Sequence, residues 1–299
     1  MEQLKQLLTA AGIAYKENEP LAAHCTFKIG GPARLFVQPT DRAQLCRAVA
    51  LCKVQGVRYY LLGNGSNILF ADEGYNGAVL DVSSMQDAVE VHGTQLTAGA
   101  GVRLSALCKT ALEHGLTGLE FAYGIPGTVG GAVYMNAGAY GNELKDVLES
   151  VTFLDSDLQL RTLPAADLAM GYRTSIFEQN PDWCILSATV VLHRGDGAAV
   201  LARMQELLGK RREKQPLEWP SAGSTFKRPQ GAFAGKLIED CGLRGFTVGG
   251  AQISEKHCGF VINRGGATCA DVVALTEQVR QIVEARTGFV LEREIRVVK

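Results

Sequence analysis

Eight glycines fall within the 27 residues from Gly115 to Gly141, and no other segment constrains the fold as strongly. Its centre reads Gly124-Ile125-Pro126-Gly127-Thr128-Val129-Gly130-Gly131-Ala132, and it continues through Asn136, Gly138, Ala139, Tyr140 and Gly141. Glycine loses the most conformational freedom on folding and brings no side chain to a core. A chain that keeps such a run is expected to lay its backbone flat against a ligand, and a planar cofactor with a long polyphosphate tail suits that shape. A glycine-rich connection without a ligand is the plain alternative. Glycine supplies 34 of the 299 residues, above the usual roughly 7%. The spacing is not collagen-like, so the surplus belongs to turns and ligand loops.

Four further segments could carry chemistry. Gly63-Asn64-Gly65-Ser66-Asn67 follows an apolar run; its glycines allow close approach to a phosphate and its N–H groups can form an anion nest. Taken alone, it reads better as a tight β-turn. The dinucleotide fingerprint GxGxxG fails because Ile68 stands where the third glycine belongs, and no P-loop is present. Pro220-Ser221-Ala222-Gly223-Ser224-Thr225-Phe226-Lys227-Arg228-Pro229 displays a serine between two prolines. No GxSxG elbow surrounds it, which leaves a proton donor, a phosphate contact or a polar surface loop. In Val290–Val298 a strand would place Glu292, Glu294 and Arg296 on one face and Leu291, Arg293, Ile295 and Val297 on the other. A solvated edge strand has the same pattern. Gly171-Tyr172-Arg173-Thr174-Ser175 offers one arginine, which means little by itself.

Charge and cysteine content narrow the class. The net charge is −1, which argues against a nucleic-acid binder. Residues 1–195 hold 14 Lys/Arg against 19 Asp/Glu and residues 196–299 hold 16 against 12. A basic C-terminal third suits an anionic small ligand, as chance drift also would. Eight cysteines occur without a CxxC or zinc spacing, so no metal is expected. The N-terminus lacks a signal-peptide pattern and no apolar run is long enough to span a bilayer. A cytoplasmic protein with no membrane partner is expected.

Periodicity gives a coarse fold. Leu4, Leu7, Leu8 and Ala11 predict a first helix; residues 41–55 predict a second, with Asp41 as N-cap and Gly56 at its end. Strands are expected at Val57–Leu62, Gly77–Val82, Val151–Leu154 and Ile185–His193, and helices at Arg103–Glu113, from 198 to Pro216, and near 270–286 ending at Gly288. The tail Phe289–Val298 reads as a strand. Strands and helices do not alternate strictly, which predicts α+β. A boundary near 195–200 predicts one domain over 1–195 and a second over 196–299.

Taken in order, these segments resemble the UDP-N-acetylenolpyruvoylglucosamine reductase family. The matching pieces are Thr26–Pro32, Gly63–Asn67, Gly124–Ala139, Gly171–Ser175, Ser221–Pro229, Ala234–Cys241, His257–Asn263 and Leu291–Val297. They span nearly the whole chain, which is similar to the shorter, type II form. The resemblance implies an FAD-binding fold of the vanillyl-alcohol-oxidase (PCMH) kind, made of two α+β subdomains, plus a C-terminal α+β substrate domain. It implies noncovalent FAD, with Gly63, Asn64, Gly65, Ser66 and Asn67 on the pyrophosphate. Gly124, Ile125, Pro126, Gly127, Thr128, Gly130, Gly131, Ala132, Asn136, Gly138 and Ala139 would line the ring system and the rest of the dinucleotide. His24 is then structural.

The activity so implied is NADPH-dependent reduction of the enolpyruvyl group of UDP-N-acetylglucosamine enolpyruvate to UDP-N-acetylmuramate, in peptidoglycan precursor synthesis. Hydride arriving at the terminal methylene leaves carbanion character beside a carboxylate, which calls for cationic and hydrogen-bonding groups. By family position Arg173 and Glu294 take that role, Glu294 best if burial raises its pKa, and Ser224 donates the completing proton. Tyr172, Lys227, Lys236 and Arg296 are the expected substrate contacts. Arg228 stands where the family often has Asn, and Cys25 where it often has Thr or Ser. A monomer is expected. A sugar or lactone oxidase on the same fold, and a nucleotide-sugar binder without flavin, are the competing readings. The Ser224 loop and the Glu294 tail speak against the first, and the Gly124–Ala139 run against the second.

Overall fold

A computed structural model describes residues 1–85 and 87–299. The chain forms two compact units. The first comprises 1–17, 35–64 and 77–210; the second comprises 18–34, 65–76 and 211–299. A single cut at 195–196 therefore does not describe the division. Residues 65–76 group with the C-terminal segment because the strand Ile68–Phe70 pairs in parallel with Arg296–Val298. The C-terminal change of unit falls inside the helix Gly197–Lys214.

The first unit holds an antiparallel five-stranded sheet ordered Leu160–Pro164, Leu148–Leu154, Cys184–Val191, Gln95–Gly99, Val89–His92. Cross-strand register runs Val151↔Ala188 and Ala188↔Ala98, and all three of these side chains are buried. Strand Tyr59–Leu62 pairs in parallel with Tyr75–Asp81. The helix Arg42–Val54 begins at Asp41, whose carboxylate accepts the Gln44 N–H at 2.8 Å, and Gly56 follows it at φ +61. It buries Leu45, Ala48, Val49 and Cys52. Phe153 stacks on Trp183 at 4.6 Å and meets Phe177 edge-on at 5.3 Å. The helix Leu104–Glu113 also matches its prediction to within one residue.

The second unit holds a three-stranded antiparallel sheet, Thr247–Val248, Ala251–Ile253 and Val261–Asn263. The helix Cys269–Thr287 closes with Gly288 in the left-handed region, as the sequence predicts. It opens with a capping box between Thr268 and Asp271. Asp72 adds a second cap: its two carboxylate oxygens accept the N–H groups of Cys269 and Ala270 at 2.7 and 3.0 Å.

The tail departs from its prediction. Only Arg296–Val298 is strand, Ile295 sits at a bend, and Arg293 makes an isolated bridge to Phe226. Residues 292–294 bond to 225–227, whereas 296–298 bond to 68–70. The change of partner breaks the alternation, so Leu291, Ile295 and Val298 are buried while Arg293 is exposed. Among the described residues no helix is long and apolar enough to cross a membrane, and no group of three or more His, Cys, Asp or Glu could hold a metal ion.

Candidate active site

In the first unit the glycine run is not extended throughout. Val129–Tyr134 forms a short helix with Thr128 as N-cap, which the sequence reading missed because two of its residues are glycine. Gly130 is there for contact: a Cβ would lie 2.9 Å from the Cβ of Ala100. Gly131 is exposed, and a Cβ there would approach nothing nearer than the Thr128 hydroxyl at 3.5 Å. The first N–H groups of this helix are already taken. Val129, Gly130 and Ala132 donate to the carbonyls of Val102, Ala100 and Thr128, and Gly131 to the Thr128 hydroxyl. The run thus offers backbone surface rather than a cluster of donors. Gly63 and Asn64 join it: a Cβ on Gly63 would lie 2.6 Å from the Thr128 hydroxyl, and the Asn64 amide donates to the Pro126 carbonyl at 2.8 Å.

The run then turns back on itself. Tyr140 and Gly141 both have positive φ (57° and 89°), the signature of a two-residue hairpin turn, so Gly138 and Ala139 pair with Glu143 and Asn142. This brings Glu143 to Asn136. Asn136 is fully buried at 0% exposure. Its amide nitrogen donates to Glu143 at 2.7 Å and to the Gly171 carbonyl at 2.9 Å, and its oxygen accepts the Lys145 N–H at 3.0 Å. The side chain expected on the cofactor is therefore committed inside the protein.

What Asn136 holds is the Arg173 turn. Gly171 and Thr174 exchange N–H···O bonds of 3.1 and 3.4 Å. Arg173 sits between them at φ +58, a conformation that the bonds on both sides enforce. Its Nη2 donates to the Gly138 carbonyl at 3.0 Å, and its guanidinium lies 5.1 Å from the centre of the exposed Tyr172 ring. Ser175 donates to the Tyr134 carbonyl at 2.8 Å.

In the second unit Gly65 takes φ +59 and packs so closely on His24 that a Cβ would lie 2.4 Å from its carbonyl oxygen. His24 itself is occupied by Glu19 at 2.8 Å. The Gly65 carbonyl accepts the Thr26 N–H, and the Thr26 hydroxyl donates to the Ser221 carbonyl at 2.6 Å. The end of the GNGSN turn is thereby tied to the Ser224 loop. Ser224 is exposed, although Ala222, Thr225 and Phe226 around it are buried. Thr225 donates to the Gly259 carbonyl at 2.8 Å and accepts the Glu294 N–H at 2.9 Å. Residues 224–227 thus run between 259–261 and 292–294, with the residue after Ser224 bonded through its carbonyl to the Glu294 N–H. Glu294 and Arg296 are half-buried.

Lys227 and Lys236 have protein partners, Glu292 and Asp240, each at 2.6 Å. Hydrogen bonding to Asp240 holds the Lys236 pKa above its ordinary value. Arg228 lies over the Phe233 ring at 4.0 Å. The sequence reading missed Thr225, Thr26 and Asn263. Asn263 donates to the Phe27 carbonyl and accepts from Gly265 and Ala267, while its own N–H reaches the Pro220 carbonyl. Burial pushes the Cys52 and Cys108 thiols up to about 12, which marks them as inert core residues.

The first unit's residues fit an FAD: one side of the glycine run packs too tightly for side chains while Gly131 leaves its other side open. In the second unit Gly65 gives its turn the left-handed residue that an anion nest requires.

Known proteins agree. Residues 33–163 match the model of the FAD binding domain, and 215–298 that of the C-terminal domain of UDP-N-acetylenolpyruvoylglucosamine reductase. The chain is 45% identical over 298 residues to that reductase from Caldanaerobacter subterraneus, covering 100% of this chain and 97% of the relative. It is 45% identical over 302 residues to the reductase of Lachnoclostridium phytofermentans, covering 100% and 96%. The crystal structure of UDP-N-acetylenolpyruvylglucosamine reductase from Thermus caldophilus superposes with a TM-score of 0.79 at 33% identity, covering 96% of this chain and 99% of that one. With full-length identity of this order, the chain belongs to the UDP-N-acetylenolpyruvoylglucosamine reductase family of flavin-dependent oxidoreductases.

Proposed function

We propose that the chain catalyses the NADPH-dependent reduction of UDP-N-acetylglucosamine enolpyruvate to UDP-N-acetylmuramate. The observation that carries this reading is the ribbon in which Thr225, next in the chain to the exposed Ser224, is bonded through its carbonyl to the Glu294 N–H. A reductase that adds hydride to one carbon needs a proton for the next, and an oxidase does not.

Gly63, Asn64 and the 124–132 backbone are read as the surface for the FAD, with Gly65–Asn67 on its pyrophosphate. The flavin, when bound, supplies the hydride chemistry. Arg173 orients the substrate carboxylate and stabilises the negative charge that develops beside it. Its pinned turn means little reorganisation is needed as that charge appears. Glu294, in its protonated form, donates a hydrogen bond to the same group. Ser224 delivers the proton to the carbon next to the carboxylate. Serine is a weak acid, but a carbanion is a very strong base, so placement of the hydroxyl governs the step. Tyr172 and Arg296 are read as substrate contacts. Lys227 and Lys236 would reach a diphosphate only by leaving Glu292 and Asp240. These surface pairs are screened by solvent and individually worth little, and an incoming dianion can replace them.

We read the first unit (1–17, 35–64 and 77–210) as principally the flavin part and the second (18–34, 65–76 and 211–299) as principally the substrate part. The protein is read as a monomer of the bacterial cytoplasm serving peptidoglycan synthesis, a placement that its eight free cysteines support. The test is anaerobic: NADPH is added to the yellow protein until the flavin absorbance bleaches, then UDP-N-acetylglucosamine enolpyruvate is added. Colour returning only with that substrate is the expected result; colour returning only with oxygen overturns the substrate assignment.

A further inference from the structure

We propose that Thr225 is the positioning residue that sets Ser224 and Glu294 in a common geometry, a role that rests on the reading of those two residues given above. Thr225 is 2% exposed, so it does not meet substrate in this geometry. Its three polar groups point to three different segments. The N–H donates to the Gly259 carbonyl at 2.8 Å, the carbonyl accepts the Glu294 N–H at 2.9 Å, and the hydroxyl oxygen accepts the Val261 N–H at 2.8 Å. The first two are main-chain bonds that any residue could make. The third requires an oxygen at the γ position of the side chain, which only serine and threonine carry.

That third bond fixes how residue 225 sits against 259–261. Ser224 bridges Phe260, and Gly223 just before it has φ +76, so the loop bends sharply where the serine is displayed. A hydroxyl bound to the Val261 N–H stops the peptide at 225 from rotating about the strand axis. Rotation there would swing the Ser224 hydroxyl and the Glu294 backbone together, because one flanks Thr225 in the chain and the other is bonded to its carbonyl. The buried Val261 N–H also has a strong requirement for an acceptor. Thr225 therefore couples two groups that must meet one substrate.

The test uses the flavin-loaded enzyme. Thr225→Val keeps the shape and removes the oxygen. It is expected to slow the substrate-dependent return of flavin colour about 10- to 100-fold, the scale of a displacement of about 1 Å, and to leave bleaching by NADPH unchanged. Thr225→Ser is expected to restore the rate. Amide hydrogen exchange, which does not depend on turnover, is expected to speed up at Val261 and Glu294 together in Thr225→Val. A residue that merely stabilised the fold would slow both steps alike, and that result overturns the proposal, as does an unchanged substrate step. If Thr225→Val does not fold, Thr225→Ala carries the same test without placing a methyl against the Val261 N–H. Ser224→Ala and Glu294→Gln are run alongside. If neither slows the substrate step, the reading of the site falls; if they do and Thr225→Val does not, the positioning role alone falls.

Discussion

The side-chain amide of Asn67 donates to the main-chain carbonyl of Glu294 at 3.2 Å, and the Asn67 carbonyl accepts the Arg296 N–H at 3.1 Å. The last residue of the GNGSN turn therefore brackets the bend of the tail. Asn67→Ala removes the first bond and keeps the second. The expected outcome is a substrate step slowed about 10-fold, as for a modest misplacement of Glu294, together with weaker flavin retention, since Asn67 is also read as a pyrophosphate contact. Absorbance of the purified variant and stopped-flow reoxidation measure the two.

Ser224→Ala removes the proposed proton donor. Its expected effect is a loss of about 10²- to 10⁴-fold in the substrate step, with bleaching by NADPH intact. Glu294→Gln is expected to spare bleaching likewise. Equal losses in both steps for Ser224→Ala, or near-normal turnover for Glu294→Gln, would remove those roles.

Asn136→Ala strips partners from Glu143, Lys145 and the Gly171 carbonyl at once. A buried polar group left unmet costs about 1–3 kcal/mol; here Glu143 and Gly171 are only half-buried, Lys145 is exposed and Glu143 keeps the Lys145 ammonium at 3.0 Å, so the loss falls at the low end of that range. Denaturant unfolding is expected to show that loss, and the rise in KM for the UDP sugar is expected to exceed the rise for NADPH. Asn136→Asp is the harsher change, since it places a second carboxylate against Glu143 and removes the donor to Gly171.

Gly131→Ala and Gly130→Ala separate the two sides of the glycine run. At the exposed Gly131, alanine favours the helix by up to about 1 kcal/mol, so the cofactor-free protein is expected to melt higher while its FAD affinity falls. Gly130→Ala drives a methyl into Ala100, so both quantities are expected to fall. Thermal melting and FAD titration of stripped protein check the pair.

The N–H groups of Thr268 and Gly250 hold the Asp271 carboxyl below its ordinary pKa. A depressed folded value stabilises the folded state above the unfolded pKa of about 3.9, and that contribution disappears as pH falls through the folded value. Asp271→Asn keeps one acceptor oxygen and removes the charge. At pH 7 it is expected to lower stability by up to about 1 kcal/mol, reduced by solvent screening at this exposed helix end. The difference is expected to vanish in acid, which unfolding curves across pH would show.

Much of this was legible in the sequence, and the parts that were not share a cause. The helix Arg42–Val54 announces itself through Asp41 and a three-four apolar spacing, and Gly288 marks the end of Cys269–Thr287. Those signals are local. Val129–Tyr134 was hidden because its glycines are chosen by contact with Ala100, a neighbour invisible to local propensity. The tail was misread because its strand pattern is cut by a change of partner at Ile295. Ser224 stood out on its turn between two prolines, but the roles of Arg173 and Glu294 could be assigned only by resemblance. Asn136 was legible as special but not in its role, since its partners lie 7, 9 and 35 residues away.

The pairing of Ile68–Phe70 with Arg296–Val298, and the grip of Asp72 on Cys269 and Ala270, also govern when the second unit can exist. On the ribosome, Asp72 emerges 197 residues before Cys269. The first unit's sheets are complete by then, while the apolar Ile68–Phe70 segment waits for its strand partner at 296–298 through most of translation. Long-range pairing of this kind is slow to form and open to wrong partners. Nascent chains are therefore most vulnerable at residues 65–76, the stretch a holding chaperone would have most reason to cover until synthesis ends.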